Sequence, residues 1–403
     1  SIAILFLIYP IFSGLKKGFK NILEDKSNYL LIAASIIMIT KSFLTSLFDL
    51  NELDNWDTIL NWAGLGNWIP HFLIFFGVQI YIKNALQREL ASKALILGTV
   101  PVIFSCFTQY LLNWHGPYEL FNGFIIWYQR PRTELYQPIT GLFNNPNYAG
   151  AWLSMIWPLL LIYTSQKRKE SFKTKFILVF SFSILFIISI GLINSRGAWL
   201  GIIASIPLLF GKTVIIWLLP LLVLIFSAIF ICTSSIFTST INDIVCLLIP
   251  KNLLTNFNDF SINFENIPRL MMWEKSINLI VNKPLLGWGA ATFPIIYFLQ
   301  YGEWKGHPHN LFLELSISYG LITSFAVFSF IGIILCRTWK VISQNSRLKD
   351  SYARSWWTSV LVFLILHSFD IVYFDFRISI IFWIFLAGLK CIYSEENMKY
   401  NLS

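Results

Sequence analysis

Apolar residues run along this chain in long, nearly unbroken stretches separated by short polar segments. A helix needs about 20 consecutive apolar residues, range roughly 17–25, to cross a hydrocarbon core. Eleven stretches reach or approach that length: 1–15, 28–48, 67–82, 94–112, 147–165, 176–194, 197–211, 213–233, 310–336, 356–374 and 377–393. The shortest, above all 197–211, would be accommodated by tilt or by neighbouring helices. The pattern predicts an all-α polytopic membrane protein, a single integral membrane domain over 1–403 with about eleven transmembrane helices. Residues 1–15 open apolar, with neither a methionine nor a basic leader, so they read as the tail of a span. A complete protein would then have about twelve spans.

The polar connections give the orientation. Segments 16–26, 83–93, 166–175 and 337–354 are all basic, whereas 51–57 carries acids and no Lys or Arg. The long segment 234–308 balances five basic residues against five acidic ones. Alternation through the eleven spans puts every basic cluster on one side, and the positive-inside rule makes that side cytoplasmic. The C-terminus is then cytoplasmic, and 113–146, the 194–197 corner and 234–309 face outward.

Composition agrees. The 403 residues are 56% hydrophobic and 13% charged, against about 25% charged in soluble domains. The net charge of +9 follows from basic clusters between spans and comes with no nucleic-acid-binding motif. Cys106, Cys232, Cys246, Cys336 and Cys391 show no CxxC spacing; they read as small buried hydrophobes, with no metal site or disulfide framework implied.

Segment 234–309 is too long for a simple connector and reads as a large outer loop. Within RLMMWEKSINLIVNKP (269–284), Leu270, Trp273, Ile277 and Ile280 or Val281 recur at helical spacing. Pro268 suits a helix start and Lys283-Pro284 its end. The pattern predicts a surface helix near 269–283, followed by a glycine-rich turn at Gly287 and Gly289.

Ionisable groups near hydrocarbon are costly and mark candidate sites. Arg196, in INSRGAWLG, is a planar, permanently charged donor: a snorkelling arginine or a phosphate clamp. Arg269 opens the surface helix, where backbone donors and the helix dipole favour an anion; a solvated surface arginine is the plain alternative. His309, in GHPHN, stands before the span at 310 and can exchange a proton near neutral pH, as a general base or as a capping residue. His307 has the weaker claim because Pro308 redirects the chain. His307 and His309 lack a supporting Cys, Asp or Glu cluster, so no metal is expected. His367 and Asp370 sit three apart on one helix face, with Arg377 following, as a hydrogen-bonded supporting cluster. Asn144, Asn145 and Asn147 read as an Asx turn opening a span. Lys41 lies inside span 28–48, as a snorkelling side chain or a sign that the span begins elsewhere. No Walker A loop or DxD pair occurs.

GLFNNPNYAG (141–150), NSRGAWLG (194–201), R-x3-W of RLMMWEKS, KPLLGWG, HN-x2-LE-x5-G (His309 to Gly320) and H-x2-D (His367, Asp370) occur in that order. Together they resemble the O-antigen ligase / polysaccharide polymerase family (Wzy-C) of bacterial membrane proteins, over roughly residues 140–390. LHSFDIVYFDFRISIIFWIFLAGL is similar to a cyanobacterial branch labelled as inorganic-carbon transporters. The resemblance implies about twelve helices in a bacterial inner (plasma) membrane, with the large outer loop 234–309 periplasmic. It implies metal-independent, cofactor-free transfer of a glycan from an undecaprenyl-diphosphate carrier to an acceptor glycan, lipid or protein. By motif, Arg196 and Arg269 fall at the pyrophosphate and His309 at the essential histidine, with Asn310 positioning. The family's second glycine after Gly320 is replaced here by Thr323, which loosens the helix-packing match.

Three functions are thus to be separated: glycan ligase or Wzy-type polymerase, bicarbonate or other solute transporter, and non-catalytic scaffold. A transporter needs a polar path across the whole membrane, whereas the candidates here, Lys41 apart, cluster outside.

Overall fold

The apolar stretches form helices, and the computed structural model describes residues 2–47, 58–122, 125–132, 137–165, 172–211, 213–233, 245–246, 268–344 and 352–400. In chain order the helices are α1 (Ile2–Glu24), α2 (Asn28–Leu47), α3 (Thr58–Leu65), α4 (Ile69–Gly77), α5 (Ala85–Gly98), α6 (Val100–Leu112), α7 (Pro146–Ser165) and α8 (Phe172–Ile193). They continue with α9 (Arg196–Phe210), α10 (Thr213–Thr233), α11 (Pro268–Asn282), α12 (Phe293–Tyr301), α13 (Leu311–Gln344), α14 (Ala353–His367) and α15 (Phe376–Tyr400). Between α6 and α7, β1 (Tyr118–Leu120) and β2 (Ile125–Trp127) pair antiparallel with Tyr118 opposite Trp127. This hairpin is a small departure from the all-α expectation. The acidic stretch 51–57 and most of the long segment, 234–244 and 247–267, lie outside the described residues.

Five helical stretches are long and apolar enough to cross a membrane by length and composition: Asn28–Leu47, Ile59–Tyr81, Ala85–Leu112, Leu311–Gln344 and Phe376–Glu395. Phe180–Ile193 and Arg196–Phe210 are shorter apolar helices. The chain is an integral membrane protein of the α-helical type, in which each spanning segment satisfies its own backbone. Several basic connections are themselves helical. α1 continues to Glu24, and 85–93 opens α5 behind a capping box, with the Gln87 N–H donating to Asn84 Oδ1 at 3.0 Å and the Asn84 N–H to Gln87 Oε1 at 3.2 Å. Hydropathy marks where hydrocarbon ends, whereas caps mark where helices end.

α13 packs along α2, α14 along α7, α9 and α15, and α4 against α1 and α15. Small residues allow the closest of these approaches. At Gly150 a Cβ would stand 2.8 Å from the Ala198 Cβ and 3.0 Å from that of Ser195. One turn deeper, the Ser154 hydroxyl lies 2.8 Å from the Gly150 carbonyl and 3.1 Å from that of Ala198. This contact fixes the first turn of α7 against the first turn of α9.

α13 is interrupted at Gly320, which takes φ 84° and ψ 167°. The loop after α11 closes the break. The Leu321 N–H donates to the Pro284 carbonyl (2.8 Å), the Trp288 N–H to Ile317 (2.7 Å) and the Gly289 N–H to Ser318 (3.0 Å). A Cβ at Gly320 would collide with the Leu285 carbonyl. Gly320 therefore serves a backbone-to-backbone contact, not the helix–helix packing that the comparison with Thr323 suggested. Unpaired backbone groups in hydrocarbon cost several kcal/mol each, which accounts for pairing KPLLGWG with the break.

Three further expectations are corrected. On α11 the buried face is Met272, Ser276, Leu279 and Ile280, while Leu270, Ile277 and Val281 are exposed; both faces carry apolar residues, so periodicity alone did not choose between them. Cys232 and Cys246 form a disulfide, where no pairing was implied. Of the free cysteines, Cys106 and Cys391 are buried but Cys336 is exposed.

The two ends of the bundle are each marked by polar contacts. At one end Asp25 pairs with Lys390 (3.0 Å) and Arg337 (3.6 Å). A cavity of about 1130 Å³, bordered by Asp25, Asn28, Lys83, Lys390 and Glu395, opens there. At the other end the HPHN segment enters α13.

Candidate active site

Separate elements deliver the motif residues to the HPHN end of α13. Asn194, in left-handed backbone at φ 51°, turns the chain between α8 and α9. The Ser195 hydroxyl then accepts from the Ala198 N–H (3.4 Å), capping α9. Arg196, the first residue of α9, is exposed. On α7, Asn145 Oδ1 accepts from the Asn147 N–H at 2.8 Å, the Asx geometry expected of NNPN. The Asn147 side chain goes further. It accepts from the Ser195 hydroxyl (3.0 Å) and donates to Asp370 Oδ2 (2.6 Å).

Asp370 is the hub. The reading of His367 and Asp370 on one helix face does not hold, because α14 ends at His367 and Asp370 follows in the connection to α15. Freed from the helix, Asp370 Oδ1 lies 2.9 Å from His309 Nδ1 and accepts from the Ile371 N–H at 2.8 Å. Burial pushes its carboxyl up, but the His309 hydrogen bond and charge, the Ile371 N–H and His307 outweigh this and hold it below its ordinary value. Asp370 is therefore ionised at neutral pH.

An ionised carboxylate only accepts, so Nδ1 of a neutral His309 carries the proton and Nε2 keeps the lone pair. His309 itself sits in left-handed backbone at φ 52°, a conformation enriched for His and common at functional sites. Its N–H donates to His307 Nδ1 (3.3 Å), and the two rings meet edge to face at 4.2 Å. Burial first, then the charges of His309 and Arg269, depress His307 to about 4, with Asp370 opposing. His307 is thus neutral and braces the His309 backbone.

The remaining motif residues hold the HPHN turn in place. The Trp273 indole N–H, on α11, donates to the Pro308 carbonyl at 3.1 Å. Asn310 Oδ1 accepts from the Leu313 N–H (3.1 Å), capping α13, and its amide donates to the Ser368 carbonyl (3.2 Å). Arg269, in the first turn of α11, is half-buried and interacts electrostatically with both Asp370 and Arg196. None of the ion pairs recorded among the described residues includes either arginine.

Other candidates stand apart. Arg377 is bound to Asp375 (Nε–Oδ1 2.9 Å), to the Leu142 carbonyl (2.7 Å) and over the Phe143 ring. His367 is buried, with Nδ1 at the Phe363 carbonyl (2.8 Å) and its ring stacked on Phe363. Glu314 is buried, accepting from the Ser318 hydroxyl at 3.1 Å, and its other oxygen has no hydrogen-bond partner among the described residues. The roles of Asn147 and of Asp370 as the direct partner of His309 were missed; NNPN and H-x2-D signalled them, but only the fold joins α7 to the α14–α15 turn.

Two kinds of chemistry are open to this arrangement. His309 with Asp370 is an oriented imidazole, and Arg269 beside Asp370 interacts in turn with Arg196, a set suited to deprotonating a hydroxyl beside a phosphorylated leaving group. His307, His309 and Asp370 also present three donor atoms within 4.8 Å of one another, a set able to hold a metal ion. The sequence reading had set a metal aside for want of an acidic neighbour, and Asp370 supplies one.

Comparison with known proteins bears on the same residues. The family model described as O-Antigen ligase matches residues 178–328, a stretch that contains Arg196, Arg269 and His309 and stops before Asp370. A Rickettsia conorii protein carrying the provisional name of polysaccharide ligase is 24% identical over 292 residues, 69% of this chain. The chain spans 61% of that relative's length. The family match over residues 178–328 and this relative point the same way: this helical membrane protein is similar to O-antigen ligases (Wzy-C) and to a polysaccharide ligase.

Proposed function

We propose that this protein is a membrane glycosyltransferase of O-antigen ligase type, moving a glycan from an undecaprenyl-diphosphate carrier to an acceptor hydroxyl on the periplasmic face. The observation that carries this reading is the His309–Asp370 pair through Nδ1, with no hydrogen bond to His309 Nε2 and no ion pair to Arg196 or Arg269 among the described residues. The arginines neutralise the diphosphate by charge-assisted hydrogen bonds, making it a competent leaving group. His309 Nε2 takes the proton of the acceptor hydroxyl as its oxygen attacks the anomeric carbon. The bond from that carbon to the diphosphate oxygen breaks, and the lipid diphosphate departs with the electron pair. Attack from the face opposite the leaving group inverts the anomeric centre. Asp370 holds the imidazole in the required tautomer and stabilises its protonated form, and Asn147 and Ser195 hold Asp370. The reaction uses no metal, so a chelator leaves transfer unchanged.

The proposal includes the topology of about eleven spans, with the His309 end periplasmic and the C-terminus cytoplasmic. The lipid tail would lie against the apolar helices, and the long segment before His309 would shape the sugar site. Deletion of the gene followed by analysis of surface glycan and lipid-linked intermediates tests the reading. Unattached long chains identify a ligase, and single repeat units a Wzy-type polymerase. A transporter is disfavoured because the candidate site residues, Lys41 apart, belong to the His309 end; bicarbonate uptake into proteoliposomes that depends on this protein would overturn that ranking.

A further inference from the structure

Lys41 is a cation inside an apolar helix, and the proposed reaction makes no use of it. It lies one turn before Thr45 on α2, whose hydroxyl donates to the Lys41 carbonyl at 2.8 Å. The loop that closes the α13 break reaches the same part of α2: a Cβ at Gly289 would stand 3.7 Å from Thr45 Cγ2. That loop begins at Lys283, directly after α11. Lys41 and Lys283 are both half-buried and close enough to repel one another electrostatically. The Lys283 ammonium lies 4.0 Å from the centroid of the Trp288 ring, and the Trp288 indole N–H is tied to the Leu279 carbonyl at 2.8 Å, which fixes the ring as a platform. No ion pair recorded among the described residues includes either lysine. Two like charges held together in a partly buried place are costly unless an anion joins them.

The surroundings indicate where such an anion comes from. Phe43 and Leu47 on α2, and Val281, Leu285 and Leu286 beside Lys283, are exposed apolar residues. In a membrane protein these positions meet lipid. Thr45 lies about 26 Å along α2 from Asn28, near the thickness of a hydrocarbon core, and Lys41, about 20 Å along, reaches the headgroup boundary by snorkelling.

We infer that Lys41 and Lys283, with Trp288 as platform, form a second anion site that takes the phosphate group of a lipid seated in the same leaflet as the His309 cluster. It is distinct from the arginine pair, because Arg269 and Lys283 mark opposite ends of the 15-residue α11, about 22 Å apart by helical rise. The inference rests on the transferase reading only for its purpose: a transferase acting at a membrane surface holds two lipid-borne groups at once, a donor and an acceptor or annular lipid. The binding itself does not depend on that reading.

The test is native mass spectrometry of the full purified chain with dioleoyl phosphatidic acid as probe and inorganic phosphate as competitor. Wild type retains this lipid about tenfold or more tightly than the Lys41→Gln/Lys283→Gln variant, the loss of charge-assisted hydrogen bonds to phosphate. Arg269→Gln retains it as wild type does. Displacement of the lipid by millimolar phosphate identifies a site for the free anion, and resistance to displacement identifies a lipid site; either result upholds an anion site at the lysine pair. Equal retention by wild type and the lysine variant overturns it, as it would if acids of the 49–57 stretch neutralise the lysines. Should the double variant not fold, Lys283→Gln alone carries the comparison. Loss or retention of glycan transfer by a His309 variant bears on the reaction and leaves this result unaffected.

Discussion

Charged groups cluster at both ends of this helical bundle, and the two clusters are built on opposite plans. At the Asp25 end the charges are closed. Lys390 is bound by Asp25 and Asn28, Arg337 reaches Asp25 at 3.6 Å, and the buried Arg88 pairs with Glu395 at 2.9 Å while also donating to the Ile82 and Lys83 carbonyls. Burial pushes the Asp25 carboxyl up, but Ser27 and Lys390 outweigh it and hold the group well below the usual carboxylate range. At the His309 end the charges are open. Asp370 is the acid, and its oxygens are committed to His309, Asn147 and the Ile371 N–H. Arg269 interacts with Asp370 and with Arg196, and neither arginine has an ion pair among the described residues. A closed cluster ties helices together, whereas an open one is poised to receive an anion. Burial and charge count alone do not separate the two; the pairing does.

Replacing both Arg196 and Arg269 by Gln sharpens this contrast most. It removes two charge-assisted contacts worth about 3–6 kcal/mol together, so transfer falls on the order of 10²–10⁴-fold. The melting temperature stays near that of wild type, because no described partner is orphaned. A large loss of thermal stability in place of activity would show that the open cluster is structural after all.

The closed cluster gives the reverse result. Lys390→Ala leaves Asp25 partly buried with the more exposed Arg337 as its remaining ion-pair partner, and stability falls by about 3 kcal/mol. Transfer per folded molecule is unchanged, since Lys390 lies at the far end of α15 from the Asp370 connection. Denaturant unfolding alongside a transfer assay reads both quantities.

Asp370→Asn tests how the open cluster is held. Asn keeps the shape but can present an N–H where His309 needs an acceptor, so the imidazole loses its fixed tautomer. Transfer falls about 10–100-fold, the worth of one charge-assisted hydrogen bond, with donor affinity retained. A matched loss of donor affinity would mean instead that Asp370 acts through the arginines.

The smallest expected effect is a pH dependence of stability. His307 is held at about 4 in the folded protein against an ordinary 6.5. Between these values the unfolded chain binds the extra proton, so the stability present above pH 6.5 is lost as pH falls toward 4. After allowance for partial exposure the loss is on the order of 2 kcal/mol. Thermal unfolding from pH 7 to 4 shows a smaller loss in His307→Gln than in wild type, because the buried His71 and His367 remain in both.

The contrast also explains what the sequence could convey. Apolar run length found the five helices long and apolar enough to cross a membrane, because hydrocarbon thickness imposes it directly on the sequence. Arg196, Arg269 and His309 could be singled out because an ionisable residue beside hydrocarbon is rare whatever the fold. Helix ends were less accessible: the capping box at Asn84–Gln87 and the end of α14 at His367 depend on local backbone chemistry that hydropathy does not record. Least accessible were contacts between distant segments. Asn147 reaches Asp370 across 223 positions of sequence, and Gly320 needs its freedom only because Leu285 approaches it. Helical spacing located α11 but not its buried face, because its two apolar faces differ in surroundings, not in composition.

The measurement that bears most directly on the central claim is glycan transfer by purified His309→Gln from a polyprenyl-diphosphate donor, with donor binding measured on the same sample. The account predicts transfer reduced about 10²–10⁴-fold with donor affinity and melting temperature as in wild type, because the arginine pair is untouched and only the proton acceptor is lost. Transfer retained at the wild-type rate in that variant would contradict it.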